Sequence, residues 1–315
     1  MRFAAVFPGQ GSQTIGMLDD LAKNHREIEH TFQEGSDIIR KDLWKLITEE
    51  SSRSFLNQTD NTQPVMLAAC VAVWRVWLSC GGCLPIGVAG HSLGEYAALV
   101  ASGSLSFDDA MLLVFERAKL MQLSVPKGKG GMTAIIGLQS DDVIQICNSV
   151  EDKNHGVVEI ANFNSLNQIV ISGNSNTVDI AASICIDEGA IRVIKLPVSV
   201  PSHCSLMEDI AEKFHDILAK IELYKGNLPI LHNVDASSHD SKESVRVVLS
   251  EQLYKPVRWV ETILNFKNKH KVDTVIEFGP GKVLFNLNRS INNKDIKSLY
   301  ICNQSSLEKS LKLCV

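Results

Sequence analysis

The chain predicts an α/β protein, with a mostly parallel sheet covered by helices on both faces and a smaller second unit inserted into it. Three observations carry that prediction. Short apolar runs that read as buried strands, such as Phe3–Phe7 and Val272–Phe278, alternate with helix-length stretches. A flexible joint, Pro126-Lys127-Gly128-Lys129-Gly130-Gly131, interrupts the pattern, and the order of elements changes beyond it. With 315 residues, 45 % of them hydrophobic and 21 % charged, the chain has the composition of a globular protein and can bury a large core.

The elements follow in order. Phe3–Phe7 is a first buried strand, and the glycine-rich loop Pro8-Gly9-Gln10-Gly11-Ser12-Gln13 comes directly after it. Helices run on to about residue 48. Val65–Leu78 is a core helix that Thr62 can cap, with Pro64 tolerated in its first turn. The apolar run ending Ile86-Gly87-Val88-Ala89 is a strand, and Glu95–Val100 begins the helix after it. Ser106-Phe107-Asp108-Asp109 starts a helix through about Ser124, in the manner of a capping box. Then come a strand (Met132–Leu138), a helix (Ser140–Val150), strands at Val157–Ala161 and Gln168–Ser172, a helix (Asn176–Glu188) and a closing strand (Ala190–Leu196). That is β-α-β-β-α-β, the ferredoxin-like order, in a unit able to fold by itself. The expected division is therefore one large domain from 1–126 and 198–315, with 127–197 as the small one. In the larger part, Ser205–Leu223 is a helix and Ile230–Val234 a strand. Two helices lie within 243–270, Val272–Phe278 is a strand running into Gly279-Pro280-Gly281, and a helix and a short final strand follow.

Composition narrows the function classes. A net charge of −5 offers no basic surplus for nucleic acid or an anionic membrane. Met1–Pro8 is too short and too quickly broken for a signal peptide, and Val65–Leu78, with Arg75 inside it, is too short for a membrane span. A cytoplasmic monomer is expected. Most of the eight cysteines sit in apolar runs, which suits reduced, buried thiols better than a disulfide framework. Cys80 and Cys83 form a lone C-x-x-C without a second pair or histidines, so no metal is expected there.

The chemistry centres on Gly90-His91-Ser92-Leu93-Gly94. A G-x-S-x-G between a strand and a helix is the context of a nucleophile elbow, in which the serine hydroxyl is exposed on a strained turn. Ser92 then needs a base. His91 is adjacent and points elsewhere, while His25, His30, His155, His203, His215, His232, His239 and His270 are the other candidates. His203, in Val200-Pro201-Ser202-His203-Cys204, sits at a junction where active sites form, although any single histidine is more often a core or surface residue. No acidic residue between 92 and 203 occupies a convincing strand-end loop, so a backbone carbonyl orienting the imidazole would serve in its place. The N–H groups of Gln10 and Leu93 together would make a two-donor oxyanion hole. Arg117, on a largely apolar helix, is either a solvated ion-pair partner or a guanidinium fork for a substrate carboxylate.

Together these pieces resemble the malonyl-CoA:acyl-carrier-protein transacylase family in its stand-alone bacterial form. The motifs occur in order along nearly the whole chain: FPGQGSQ at 7–13, GHSLGEYAAL at 90–99, ERAKLMQ at 116–122, ANFNSLNQIVISG at 161–173, PSHC at 201–204, HNVDA at 232–236, QLYKPVRW at 252–259 and EFGPGKVL at 277–284. The resemblance implies that Ser92 takes the malonyl group as an ester and that His203 is general base, then acid. It implies an oxyanion hole at Gln10 and Leu93, a carboxylate clamp at Arg117 with Gln10 also at the substrate, and a main-chain carbonyl of Gln252 holding the histidine. It implies an α/β-hydrolase-like large domain with a ferredoxin-like small one. The substrates implied are malonyl-CoA and a phosphopantetheinylated acyl carrier protein, with no cofactor or metal. Carrier proteins are usually acidic, so Lys127, Lys129 and Lys255 are candidates for a basic mouth. Leu166 replaces a frequent proline and Ala118 a frequent glycine. The alternatives are a serine esterase or thioesterase, which would want a triad acid and has no use for Arg117, and a non-catalytic module that retains the fold.

Overall fold

The computed structural model describes residues 2–126, 128–154, 156–198, 200–291 and 296–314. In chain order its strands are β1 (Phe3–Phe7), β2 (Gly87–Gly90), β3 (Gly130–Ile136), β4 (Val158–Ser165), β5 (Gln168–Asn174), β6 (Arg192–Lys195), β7 (Ile230–Leu231), β8 (Thr274–Phe278) and β9 (Lys297–Ile301). One sheet is parallel throughout, in the order β7-β2-β1-β8-β9. Such a sheet needs cover on both faces, and the two-residue period of β1 supplies it. Phe3, Ala5 and Phe7 enter the core shared with the helix Thr59–Ser79, while Ala4 and Val6 enter the core shared with Trp259, Ile263 and Leu287.

The second sheet is antiparallel, in the order β4-β5-β3-β6. The helices Ser140–Asn154 and Ser175–Asp187 cover one of its faces, with Val143, Cys147, Val178 and Ala181 against Ile135, Ile169 and Ile171. Its other face carries Met132, Ala134, Ala161 and Val170. Main-chain bonds from Val257 N to Ala161 O and from Phe163 N to Val257 O, both 2.9 Å, tie β4 to the segment that follows Gln252.

Several elements differ from the sequence expectation. The core helix starts at Thr59, not near Thr62, and Gln58 precedes it. Thr62 lies inside it and donates to Leu56 O and Gln58 O, and Pro64 sits beyond the first turn. Pro64 has no N–H to give to Asp60 O, so the helix runs through it with one main-chain bond fewer. The expected helix Ser205–Leu223 is a short 3-10 turn followed by Glu208–Leu218. The strand expected over Ile230–Val234 stops at Leu231, since His232 and Asn233 leave the sheet to serve the site described below. Gly130 and Gly131 of the expected joint belong to β3. A last helix, Gln304–Leu311, follows the final strand and starts with a capping box between Asn303 and Ser306. The reading of all cysteines as reduced thiols is corrected at one pair. Cys83 and Cys314 form a disulfide with Cα atoms 5.7 Å apart, because the last helix returns the C-terminal end to the loop after Thr59–Ser79. Among the described residues no helix is long and apolar enough to cross a membrane.

Candidate active site

Ser92 occupies the turn between β2 and the helix Gly94–Ser102 with φ of 50°. That left-handed conformation costs a non-glycine residue about 1–2 kcal/mol, so the surroundings must hold it. Packing explains the flanking glycines better than backbone freedom does. A Cβ on Gly90 would stand 1.9 Å from the Gly94 carbonyl carbon, and one on Gly94 would stand 2.0 Å from Phe7 O. The elbow is braced by Asn233, whose Oδ1 accepts from Ser92 N at 2.7 Å and whose Nδ2 donates to Gly90 O at 2.6 Å.

His203 is the base that the fold brings to Ser92, with Nε2 2.7 Å from the hydroxyl oxygen. Its Nδ1 lies 2.7 Å from the main-chain oxygen of Gln252, which fixes Nδ1 as the protonated nitrogen and leaves Nε2 free to accept. His203 also has a positive φ, 63°, and its own N–H donates to Leu253 O at 2.9 Å. It is buried, and burial together with the nearby positive charge of Arg117 pushes its pKa down to about 3. The imidazole is therefore neutral at physiological pH and ready to take a proton.

Arg117 is not the solvated ion-pair residue of the alternative reading. It is 1 % exposed, and neighbouring Glu116 pairs with Lys119 instead. Its Nη1 donates to Gln63 Oε1 at 2.7 Å, and its Nη2 donates to Gln252 Oε1 at 3.0 Å and to Ser92 Oγ at 3.4 Å. The Tyr96 ring lies 5.7 Å from its guanidinium carbon. Among the described residues no carboxylate forms an ion pair with it, so a buried positive charge stands beside the nucleophile with only neutral partners.

The loop carrying Gln10 comes very close to the elbow. A Cβ on Gly9 would lie 2.5 Å from His91 O and 3.7 Å from Leu93 N. Among the described residues neither the Gln10 nor the Leu93 N–H has a hydrogen-bond partner. The Gln10 side chain reaches Thr59 Oγ1 at 3.4 Å.

Other candidates lie elsewhere. His91 points away from Ser92 and bonds Asn164 Oδ1 at 2.7 Å. His25 faces Gln304, His215 faces Ser250, His239 pairs with Asp235, and His270 stacks against Phe266. His30 lies 3.9 Å from Glu34, and His155 falls outside the described residues. Of the lysines expected at the mouth, Lys255 is engaged by Glu251 at 2.5 Å, Lys129 is exposed, and Lys127 falls outside the described residues.

Sequence reasoning missed four contributors. Gln63, Glu95 and Asn233 are buried polar residues, and the Gln252 side chain joins Arg117 in addition to the main-chain role expected of that residue. A signal existed for two of them: a glutamine in the apolar core helix, and a glutamate opening the apolar stretch Tyr96-Ala97-Ala98-Leu99.

The chain is similar to known proteins over nearly its whole length. The family described as an acyl transferase domain matches residues 5–304. The malonyl CoA-acyl carrier protein transacylase of Salmonella typhimurium is 46 % identical over 290 residues, covering 92 % of this chain and 93 % of the relative. That of Bacillus subtilis is 37 % identical over 311 residues, covering 99 % and 96 %. The solved structure of the malonyl CoA-acyl carrier protein transacylase from Coxiella burnetii superposes with a TM-score of 0.96 at 41 % identity, covering 100 % of this chain and 98 % of that one. A malonyl-transacylase solved in complex with a type II PKS acyl-carrier protein gives 0.95 at 44 %, covering 99 % and 100 %.

Proposed function

The chain belongs to the malonyl CoA-acyl carrier protein transacylases of the acyl transferase family, and from that premise we propose how its own residues move a malonyl group from malonyl-CoA to the phosphopantetheine thiol of acyl carrier protein for fatty acid synthesis. One observation carries the reading: a buried guanidinium that no carboxylate among the described residues pairs with lies 3.4 Å from a serine oxygen that itself lies 2.7 Å from a neutral histidine. An acyl group that ends in a carboxylate suits both features.

Ser92 Oγ attacks the thioester carbonyl while His203 Nε2 removes its proton. The tetrahedral oxyanion lies against the free N–H groups of Gln10 and Leu93, where each such donor is worth about 3–4 kcal/mol in the barrier. CoA departs as its thiol, taking the proton from His203. The malonyl carboxylate pairs with Arg117, which offsets the cost of burying both charges. In the second half, His203 deprotonates the carrier's thiol, the thiolate attacks the ester, and Ser92 Oγ leaves with the proton.

We read the frame as an α/β-hydrolase-like catalytic domain (1–126 and 198–315) holding a ferredoxin-like domain (127–197). The scheme needs no resident cofactor, because an activated serine suffices for a thioester. It runs in one monomer, since a single copy carries every group named, and its setting is the cytoplasm. A serine esterase is the weaker reading, since His203 leans on a main-chain carbonyl and hydrolysis gives Arg117 no task. The test is brief exposure to malonyl-CoA followed by mass analysis of the peptide carrying residue 92. A malonyl ester on Ser92 that is discharged by holo carrier protein is the expected result. Release of free malonate at full rate without the carrier would reject the transferase.

A further inference from the structure

Glu95 is 0 % exposed, one residue into the helix that follows the nucleophile. Its Oε1 lies 2.6 Å from His232 Nδ1, and its Oε2 accepts from Gln252 Nε2 at 2.6 Å and from Asn233 N at 3.3 Å. A carboxylate in an apolar core is costly, and it persists only where donors converge on it. Two of these three donors lead back to the reacting atoms. Asn233 holds the Ser92 N–H, and the Gln252 amide holds both Ser92 O, at 3.0 Å, and Arg117.

The Gln252 amide has two orientations, which differ by exchange of its oxygen and nitrogen. Arg117 only donates and a carboxylate only accepts, so the two ends of the amide are read by groups of opposite type. With Glu95 in place the amide nitrogen faces Glu95 and the oxygen faces Arg117. With a group able to donate at 95, only Ser92 O still requires the nitrogen on that side, and the exchanged orientation, which sets an NH2 group against the guanidinium, is disfavoured less than in wild type.

We infer that Glu95 is the positioning carboxylate of this site: it holds the Gln252 side-chain amide with its oxygen toward Arg117 and thereby aims the guanidinium at the acyl group on Ser92. The carboxylate organises the acyl clamp, and the histidine is left to a main-chain oxygen. The inference rests on the malonyl reading above.

The test compares wild type, Glu95→Gln and Glu95→Asp, each first checked for folding by thermal melting. kcat/KM is measured for malonyl-CoA and for acetyl-CoA with the carrier protein as acceptor. For Glu95→Gln, malonyl transfer is expected to fall about tenfold or more further than acetyl transfer does. Glu95→Asp keeps an acceptor-only group but leaves a gap, and its malonyl-to-acetyl ratio is expected between those of Glu95→Gln and wild type. A packing role predicts the opposite order, because glutamine is the better shape match. An unchanged ratio, or an equal fall for both acyl groups, overturns the inference. Should Glu95→Gln not fold, the ratio for Glu95→Asp decides, and a wild-type value overturns it. Failure of wild type to become malonylated on Ser92 would instead remove the reading beneath it.

Discussion

Gln252 accepts Arg117 Nη2 on its side-chain oxygen at 3.0 Å and His203 Nδ1 on its main-chain oxygen at 2.7 Å. One residue therefore serves both the base and the acyl clamp, the base through its main chain and the clamp through its side chain. The consequences are separable by experiment, because the two functions depend on different parts of the site.

Arg117→Ala is expected to lower kcat/KM for malonyl-CoA by about a hundredfold, the size of a lost charge-assisted pair of hydrogen bonds. Acetyl transfer, which has no carboxylate to bind, should fall far less. Arg117→Lys should rescue little, since a single ammonium cannot replace a fork spanning Gln63 and Gln252. Steady-state kinetics with the two acyl donors checks this, and equal losses would refute a clamp.

The pH profile carries a signature of the buried base. His203 has its pKa lowered to about 3 from 6.5, so the acid limb of kcat/KM should lie well below the usual histidine range. Arg117 is one cause of that depression, and a malonyl carboxylate would cancel its charge. The acid limb of kcat should therefore lie at higher pH than that of kcat/KM. The same shift has a sign for folding. Its contribution to stability is complete above 6.5 and is lost as the pH falls toward 3, where the unfolded chain binds the extra proton.

Asn233→Ala removes both bonds that brace the elbow. The expected cost is about 2–4 kcal/mol from two buried groups left unpaired, read as a lower melting temperature. Malonyl and acetyl transfer should fall by the same factor, because the nucleophile and not the clamp is disturbed.

Gly94→Ala places a methyl group 2.0 Å from Phe7 O, and the backbone of β1 must move to admit it. A loss of more than about 3 kcal/mol is expected. Any folded fraction should be slow to acylate, which a malonyl-CoA burst assay would detect.

How much was legible depends on how far apart the interacting residues lie. The elbow, the capped helix after Ser106 and the β-α-β-β-α-β order were readable because each is written in neighbouring residues. The family motifs extended that reading to His203, Arg117 and the Gln252 carbonyl. The side-chain amide of Gln252 was not readable, since its partners Ser92, Glu95 and Arg117 lie 160, 157 and 135 positions away. The Cys83–Cys314 pair was missed for the same reason, with 231 positions between the two cysteines.

The sequence by itself determined the alternation of strands and helices, the strained serine turn and the set of residues able to do the chemistry. These follow from local sterics and from periodicities of two and 3.6 residues, which need no distant partner. Only the tertiary structure decided how close His203 comes to Ser92, that Arg117 is buried with no carboxylate bonded to it among the described residues, and that Glu95 answers for it through Gln252. Those outcomes depend on the parallel sheet bringing β1, β2 and β7 side by side, so that their loops share one end and remote polar groups must satisfy one another out of water.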